Sequence, residues 1–349
     1  MTLNDKEYLK RYDGPPLRIM QVCGTHTAAI FKNGIRSFLS PGIRLVSGPG
    51  CPVCVTVPSY IDRCAEICLT PGYELLCFGD LLKVPGSEMT LSDAKGRGGR
   101  VRMVWSPFDA LALAERAPAT TFVVAAIGFE TTAPAFGLLL DEAEARNIRN
   151  IKLLTSLKSA LAAIDWVCAA GEAIDAFLCP GHVSVVTGAD AYVPLAEKYK
   201  KPFIVAGFEG EHLMAAIRAA AEAAAANAAE GRGCVRNLYT EAVTAQGNIK
   251  AREITEKYFE PGAAEWRGLG IVEGSGYYLK EEYRAYDAEY ACSVRERTQE
   301  APGCRCGDVI LGRIDPSECP LFGTSCTPTR PVGPCMVSAE GACGCWYRG

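Results

Sequence analysis

The chain has no excess of positive charge: 36 Lys and Arg stand against 40 Asp and Glu, a net charge of −4. That removes the electrostatic case for binding nucleic acid or an anionic membrane. No uninterrupted apolar run approaches the roughly 20 residues that span a bilayer. The opening Met-Thr-Leu-Asn-Asp-Lys-Glu-Tyr has no apolar core of the kind a secretory signal needs. Both absences make the cytoplasm the expected location. Histidine is scarce, with His26, His182 and His212 the whole supply. The C-terminal tail lacks the close C-x2-4-C pairs of zinc ribbons and fingers, in which two thiolates on one tight turn bite a single ion.

Cysteine is what the chain has in quantity, 17 of its 349 residues. A chain of this length buries a large core without covalent staples, so the cysteines are not there to rescue a small fold. In a reducing compartment such a pattern points to metal binding or redox chemistry. Seven fall in the last 46 residues: Cys304, Cys306, Cys319, Cys326, Cys335, Cys343 and Cys345. From Ala301 onward Gly, Pro and Cys dominate and helical periodicity disappears. Such a tail is short of apolar residues for a core of its own, which predicts that a metal organises it. The wide single-cysteine spacing, with Pro320, Pro328, Pro331 and Pro334 bending the chain between ligands, favours a cubane iron–sulfur cluster. Structural zinc is the alternative, since both centres prefer thiolates.

Upstream, short apolar runs alternate with helix-compatible stretches. Strands are predicted at 17–22, 43–47, 74–78, 122–127, 151–154, 176–178 and 202–206, the pattern of parallel βα units covered by helices on both faces. Three weak internal matches occur in order. Gly24 to Phe31 matches Phe129 to Phe136, Pro49-Gly50-Cys51 matches Pro180-Gly181-His182, and Leu75 to Asp80 matches Ile204 to Glu209. They suggest two similar α/β domains facing a cleft, at 1–117 and 118–230, followed by a Cys-rich C-terminal domain at 231–349. In a parallel sheet the loops at the carboxyl ends of the strands share one edge, where ligands bind. The loops beginning at Cys23, Gly48, Gly128 and Cys179 are therefore expected to line one cleft. Residues 212–230 hold eleven alanines and predict a helix ending at Gly231. The segments at 266–270 and 275–278 read as turn or strand.

Four constellations carry chemistry. Cys51-Pro-Val-Cys54 is a C-x-x-C whose thiols can close a disulfide, and its Gly-Pro-Gly lead-in predicts an exposed loop. Cys23 sits where a strand gives way to a helix, so its thiol meets a helix N-terminus that favours thiolate, with His26 nearby as base or ligand. Glu130 and His182 are candidates for polar positions in the cleft, and Thr132 for a helix cap. Cys64, Cys68, Cys77, Cys168, Cys179, Cys234 and Cys292 read as small hydrophobes.

Taken in order, Cys-Gly-Thr-His-Thr (23–27), Gly-Pro-Gly-Cys-Pro-Val-Cys (48–54), Gly-Phe-Glu-Thr-Thr (128–132), Pro-Gly-His-Val-Ser (180–184) and Cys-Met-Val-Ser-Ala-Glu-Gly-Ala-Cys (335–343) resemble the HypD family. Its members are maturation factors of [NiFe] hydrogenases, and the resemblance runs from about residue 17 to the C-terminus. It implies a scaffold for assembling the Fe(CN)2CO moiety, working with the small chaperone HypC and the cyanide donor HypE. It also implies two similar α/β domains and a third that carries a [4Fe-4S] cluster. Carried over by position, Cys23 matches the family's iron-site cysteine, and Cys51 and Cys54 its redox pair, with Cys54 also a candidate iron contact. Cys319, Cys326, Cys335 and Cys343 match the cluster ligands. The tail departs from the family at Gly344-Cys345-Trp346, where Ala-Ala-Tyr is more usual, so Cys345 competes with Cys343. Cys304 and Cys306 are further candidates. In this reading Glu130, His26 and His182 supply protons or hydrogen bonds to bound cyanide. The alternatives are an iron–sulfur-dependent protein disulfide reductase and a zinc-stapled interaction module.

Overall fold

The computed structural model describes residues 4–288 and 301–349; Cys292 lies outside them. Among the described residues eleven strands form two sheets. They are β1 Leu17–Gln21, β2 Ile43–Ser47, β3 Tyr73–Cys77, β4 Val101–Met103, β5 Thr121–Gly128, β6 Ile151–Lys158, β7 Ala176–Cys179, β8 Pro202–Val205, β9 Cys234–Asn237, β10 Phe259–Trp266 and β11 Gly270–Leu279. The first sheet has the order β2-β1-β7-β8-β9 and is parallel throughout. The second has the order β10-β11-β6-β5-β3-β4, with β4, β3, β5 and β6 parallel. The β10–β11 hairpin joins β6 antiparallel. Central strands such as β7 and β8 are buried at every residue, as covered parallel sheets require.

The predicted strands and the α/β class match the structure, but the contiguous division at residue 117 does not follow the sheets. β1 and β2 pair with strands from the second half of the chain, whereas β3 and β4 pair with β5 and β6. Each sheet therefore takes strands from both sides of that boundary. The internal matches do not separate two lobes either, because the strands before Pro49 and Pro180, β2 and β7, lie in one sheet. The turn chemistry that follows a parallel strand recurs wherever such a strand ends, so local similarity does not identify a repeat.

The alanine-rich segment is a helix, Gly210–Glu230, closed by Gly231 in the left-handed region at φ 65°. The tail departs from expectation in two ways. It contains short helices, Cys306–Ile310 and Ala342–Arg348. It also has an apolar anchor: Val309, Ile310, Leu311 and Met336 are buried in the same core cluster as Cys51, Cys54 and Val55. Polar ties hold it across the first sheet. Arg18 donates to the Gly312 carbonyl at 2.5 Å, Arg44 meets Asp315 at 3.2 Å, and Arg313 meets Glu172 at 2.6 Å. No helix among the described residues is long and apolar enough to cross a membrane.

Candidate functional site

Three of the four loops expected to gather, those at Cys23, Gly48 and Cys179, leave the carboxyl ends of the adjacent strands β1, β2 and β7. The fourth follows β5 in the other sheet. Cys23 is the N-cap of the helix Gly24–Lys32. The loop carrying the C-x-x-C lies directly against it: Gly24 N donates to Gly50 O at 3.2 Å, and Gly48 N to Gln21 O at 2.9 Å. A side chain at Gly50 would put its Cβ 2.7 Å from Cys23 Cα, so only glycine lets the two backbones approach this closely.

Cys51 and Cys54 are joined in a disulfide, with Cα atoms 5.3 Å apart. The loop is not exposed as predicted. Cys51 and Cys54 are 6% and 2% exposed, because Val53, Val55 and Val57 carry the loop into the core. The Cys23 thiol is not predisposed to ionise either. Burial pushes it up to about 11, against hydrogen bonds from the His26 backbone and from Thr25 that favour the thiolate. The nearby Glu340 carboxylate adds to the upward push, and Thr25 Oγ1 donates to Glu340 Oε1 at 2.7 Å. The tail thus covers the Cys23 loop. On the same helix Phe31 packs edge-on to Trp346 at 5.4 Å.

The other candidate residues sit as follows. The His26 imidazole is fully buried and turned toward the β8 end, its Nε2 3.2 Å from Ala206 O. Burial draws it down to about 4, which keeps it neutral. His26 and the exposed His182 both pack on Phe208, with ring centroids 5.1 and 4.1 Å away. Glu130 is buried and occupied at the start of the helix Ala160–Ala169: it accepts from Ser159 Oγ at 2.8 Å and from Ala160 N at 3.1 Å. Burial raises its pKa. Thr132 occupies an N-cap position but makes no side-chain cap, its hydroxyl lying 3.4 Å from that of Thr131.

In the tail, Cys304, Cys306, Cys319, Cys326, Cys335 and Cys343 line one pocket, with Val309, Leu321, Phe322 and Met336 as its apolar walls. Cys306 is drawn well down by hydrogen bonds from Cys304 and then Cys335, and by the positive charge of Arg267. Cys304 and Cys335 are pushed up in return, both first by the bond to Cys306. Cys345 turns away and donates to Ala339 O at 3.2 Å. Among the described residues no three or more His, Cys, Asp or Glu side chains draw together as a single-ion site. The pocket offers thiols without imidazole or carboxylate, a soft donor set that fits an iron–sulfur cube or zinc.

One element that the sequence did not single out for function joins the two sites. The β10–β11 turn holds Arg267, whose backbone N donates to Val55 O at 3.0 Å at the end of the disulfide loop. Its neighbour Gly268, at φ 82°, approaches Gly307, where a Cβ would lie 2.5 Å from the Gly307 Cα. Trp266, stacked on Phe129 at 5.9 Å, completes the turn's packing. The Trp-Arg-Gly sequence marks a turn, but nothing in it signals that the arginine is buried.

A disulfide beside a free strand-end thiol, next to a pocket of six thiols, defines a thiol-centred α/β protein. Comparison places it further. Residues 5–349 match the HypD family model, described as the hydrogenase formation hypA family. The chain is 41% identical over 342 residues to the hydrogenase maturation factor HypD of Escherichia coli, covering 95% of this chain and 89% of that one. Those of Azotobacter vinelandii and Rhodobacter capsulatus are 40% and 39% identical, each across 95% of this chain and 88% and 89% of theirs. The chain belongs to the HypD family of hydrogenase maturation factors.

Proposed function

We propose that this chain is the scaffold on which the Fe(CN)2CO unit of [NiFe] hydrogenases is assembled, with HypC and HypE as partners. The observation that carries the reading is the seating of the Cys51–Cys54 loop on the Cys23 backbone. It unites a single thiol and a two-electron dithiol at one strand edge. The iron being decorated is the cargo. An iron bearing cyanide and carbonyl needs soft donors, and one thiolate shared with a partner releases it more readily than a closed four-ligand cage. Cys23 is the proposed anchor, with Cys54 the second contact. Because burial holds the Cys23 proton, iron binding there displaces it, and Thr25 and the His26 backbone are placed to stabilise the sulfur that results. Opening the Cys51–Cys54 disulfide takes up two electrons and two protons; closing it returns both.

The six-thiol pocket suits a [4Fe-4S] cluster, with Cys319, Cys326, Cys335 and Cys343 as the proposed ligands and Cys304 and Cys306 beside them. Such a cluster supplies one-electron transfer when bound. His26 and Glu130 contribute by holding the loop and the helix start to which they are bonded, not by direct contact with cyanide.

The test is infrared spectroscopy of the anaerobically purified complex with HypC. Bands of iron-bound CN and CO are expected with the parent chain and with Cys68→Ala. They should vanish with Cys23→Ala while iron and sulfide in the tail persist. Undiminished bands in Cys23→Ala would move the anchor elsewhere. Their absence from the parent complex would favour the disulfide-reductase reading, which needs no iron at Cys23.

A further inference from the structure

Arg267 is 4% exposed, and its Nε and Nη1 find no hydrogen-bond partner among the described residues. A guanidinium in that state is costly, since a buried charge forfeits its hydration unless hydrogen bonds or an opposite charge replace it. Its place in the fold is fixed from two sides. The backbone bond to Val55 O ties it to the disulfide loop, and the close approach of Gly268 to Gly307 ties it to the residue after Cys306. The turn that carries this buried cation therefore packs on the helix Cys306–Ile310, which supplies Cys306 and Val309 to the thiol pocket.

We propose that Arg267 is a positioning residue that neutralises the cluster held in the tail pocket and couples that pocket's charge to the disulfide loop. The inference rests on the cluster reading given above. Four thiolates outweigh the positive charge of an iron–sulfur cube, so the assembly is an anion, and each added electron deepens its charge. A buried cation at its edge therefore favours loading, and favours the reduced state more than the oxidised one. The guanidinium's planar fork of donors suits sulfur acceptors whose directions are set by the metal. The same charge explains why the orphaned nitrogens persist: their partner is the bound anion.

The experiment uses the full chain purified without oxygen, as parent, Arg267→Gln and Arg267→Lys. Iron and sulfide are counted, and the cluster's reduction is followed by electron paramagnetic resonance during a redox titration. With iron and sulfide at the parent level, Arg267→Gln should make one-electron reduction about tenfold less favourable, which is about 59 mV lower in potential. Arg267→Lys, which keeps the charge, should stay near the parent. An unchanged potential in a fully loaded Arg267→Gln protein overturns the proposal, as does a shift in Arg267→Lys equal to that in Arg267→Gln. If Arg267→Gln fails to load, full loading of Arg267→Lys supports the charge role and its failure overturns it. A parent chain without iron and sulfide would overturn the cluster reading itself, an outcome distinct from a loaded parent whose potential ignores Arg267.

Discussion

At Cys23 two effects compete, and their sizes decide the outcome. A helix N-terminus stabilises an adjacent negative charge by about 0.3–1 kcal/mol, which is less than one pKa unit at about 1.4 kcal/mol each. Burial takes the thiol from its ordinary 9.0 to about 11, so burial wins. Lys158 shows the same rule with the opposite charge. It is 4% exposed, and burial draws its amine down from 10.5 to about 8, with Glu265 opposing. A base whose folded value is depressed releases its proton more readily in the folded state. The unfolded chain therefore binds more protons between pH 8 and 10.5, and stability rises with pH across that window. Below it the penalty is fully present. Lys158→Met should stabilise the protein at pH 7 by up to about 3 kcal/mol, less about 1 kcal/mol for the lost Ser156 bond and the contact with Trp266. The gain should shrink steadily from pH 8 to 10.5. Urea denaturation of both proteins across that range measures it, and a pH-independent difference would refute the assignment. The sequence marks Cys23 as a strand-end thiol, whereas the strand it predicts at 151–154 stops short of Lys158, which the structure puts at the end of β6. The depth of either is set by chain segments far away, which no local pattern records.

Among the elements, the tail shows how far composition can mislead. Its Gly, Pro and Cys content suggests a segment that only a metal could fold, and short helices of five and seven residues leave too little periodicity to see. Its few apolar side chains are instead spent on the common core, and its last helix lies against the helix that begins after Cys23. Arg36 stacks over both Phe31 and Trp346, at 5.3 and 5.0 Å, and seals that contact. Trp346→Ala should therefore cost about 2 kcal/mol, below the roughly 3–5 kcal/mol of a fully buried aromatic because Trp346 is only half-buried. It should also speed alkylation of Cys23 several-fold in the metal-free protein, because the last helix loses its ring contact with the helix that begins after Cys23 and Glu340 is held there less firmly. A melting curve and timed alkylation with mass spectrometry give both readings. Unchanged Cys23 reactivity despite a lowered melting temperature would mean that the tail does not cover the site. The grouping of six tail cysteines was legible as a soft-metal pattern. That Cys345 stands outside it was not, because the direction of a side chain on a two-turn helix depends on how that helix packs.

At the scale of the whole molecule, the two sheets are laced together by the order in which the chain visits them. It lays down β1 and β2, leaves to build β3 to β6, and returns for β7 to β9 on the other side of β1. The sequence predicts β1 to β3 and β5 to β8 because each is a buried apolar run with its own turn signals, and it misses β4 and β9, which are short and only partly buried. It does not predict their partners, because parallel pairing is specified by contacts between distant segments and every buried strand presents the same kind of face. The lacing has a consequence for folding. A fragment of residues 1–117 contains β1 without its neighbour β7 and β3 without its neighbour β5, leaving two pairs of parallel strands with their inner edges bare. Two-stranded sheets are at best marginally stable in water. The fragment should therefore show no cooperative thermal transition and no protected Cys51–Cys54 disulfide, whereas the full chain should melt cooperatively. Circular dichroism and reduction kinetics of the fragment beside the full chain decide this. A sharp transition in residues 1–117 alone would mean that the amino-terminal third is an independent domain after all. The Cys23 and Cys51 loops would then be preassembled without β7, rather than completed when the chain returns to close the first sheet.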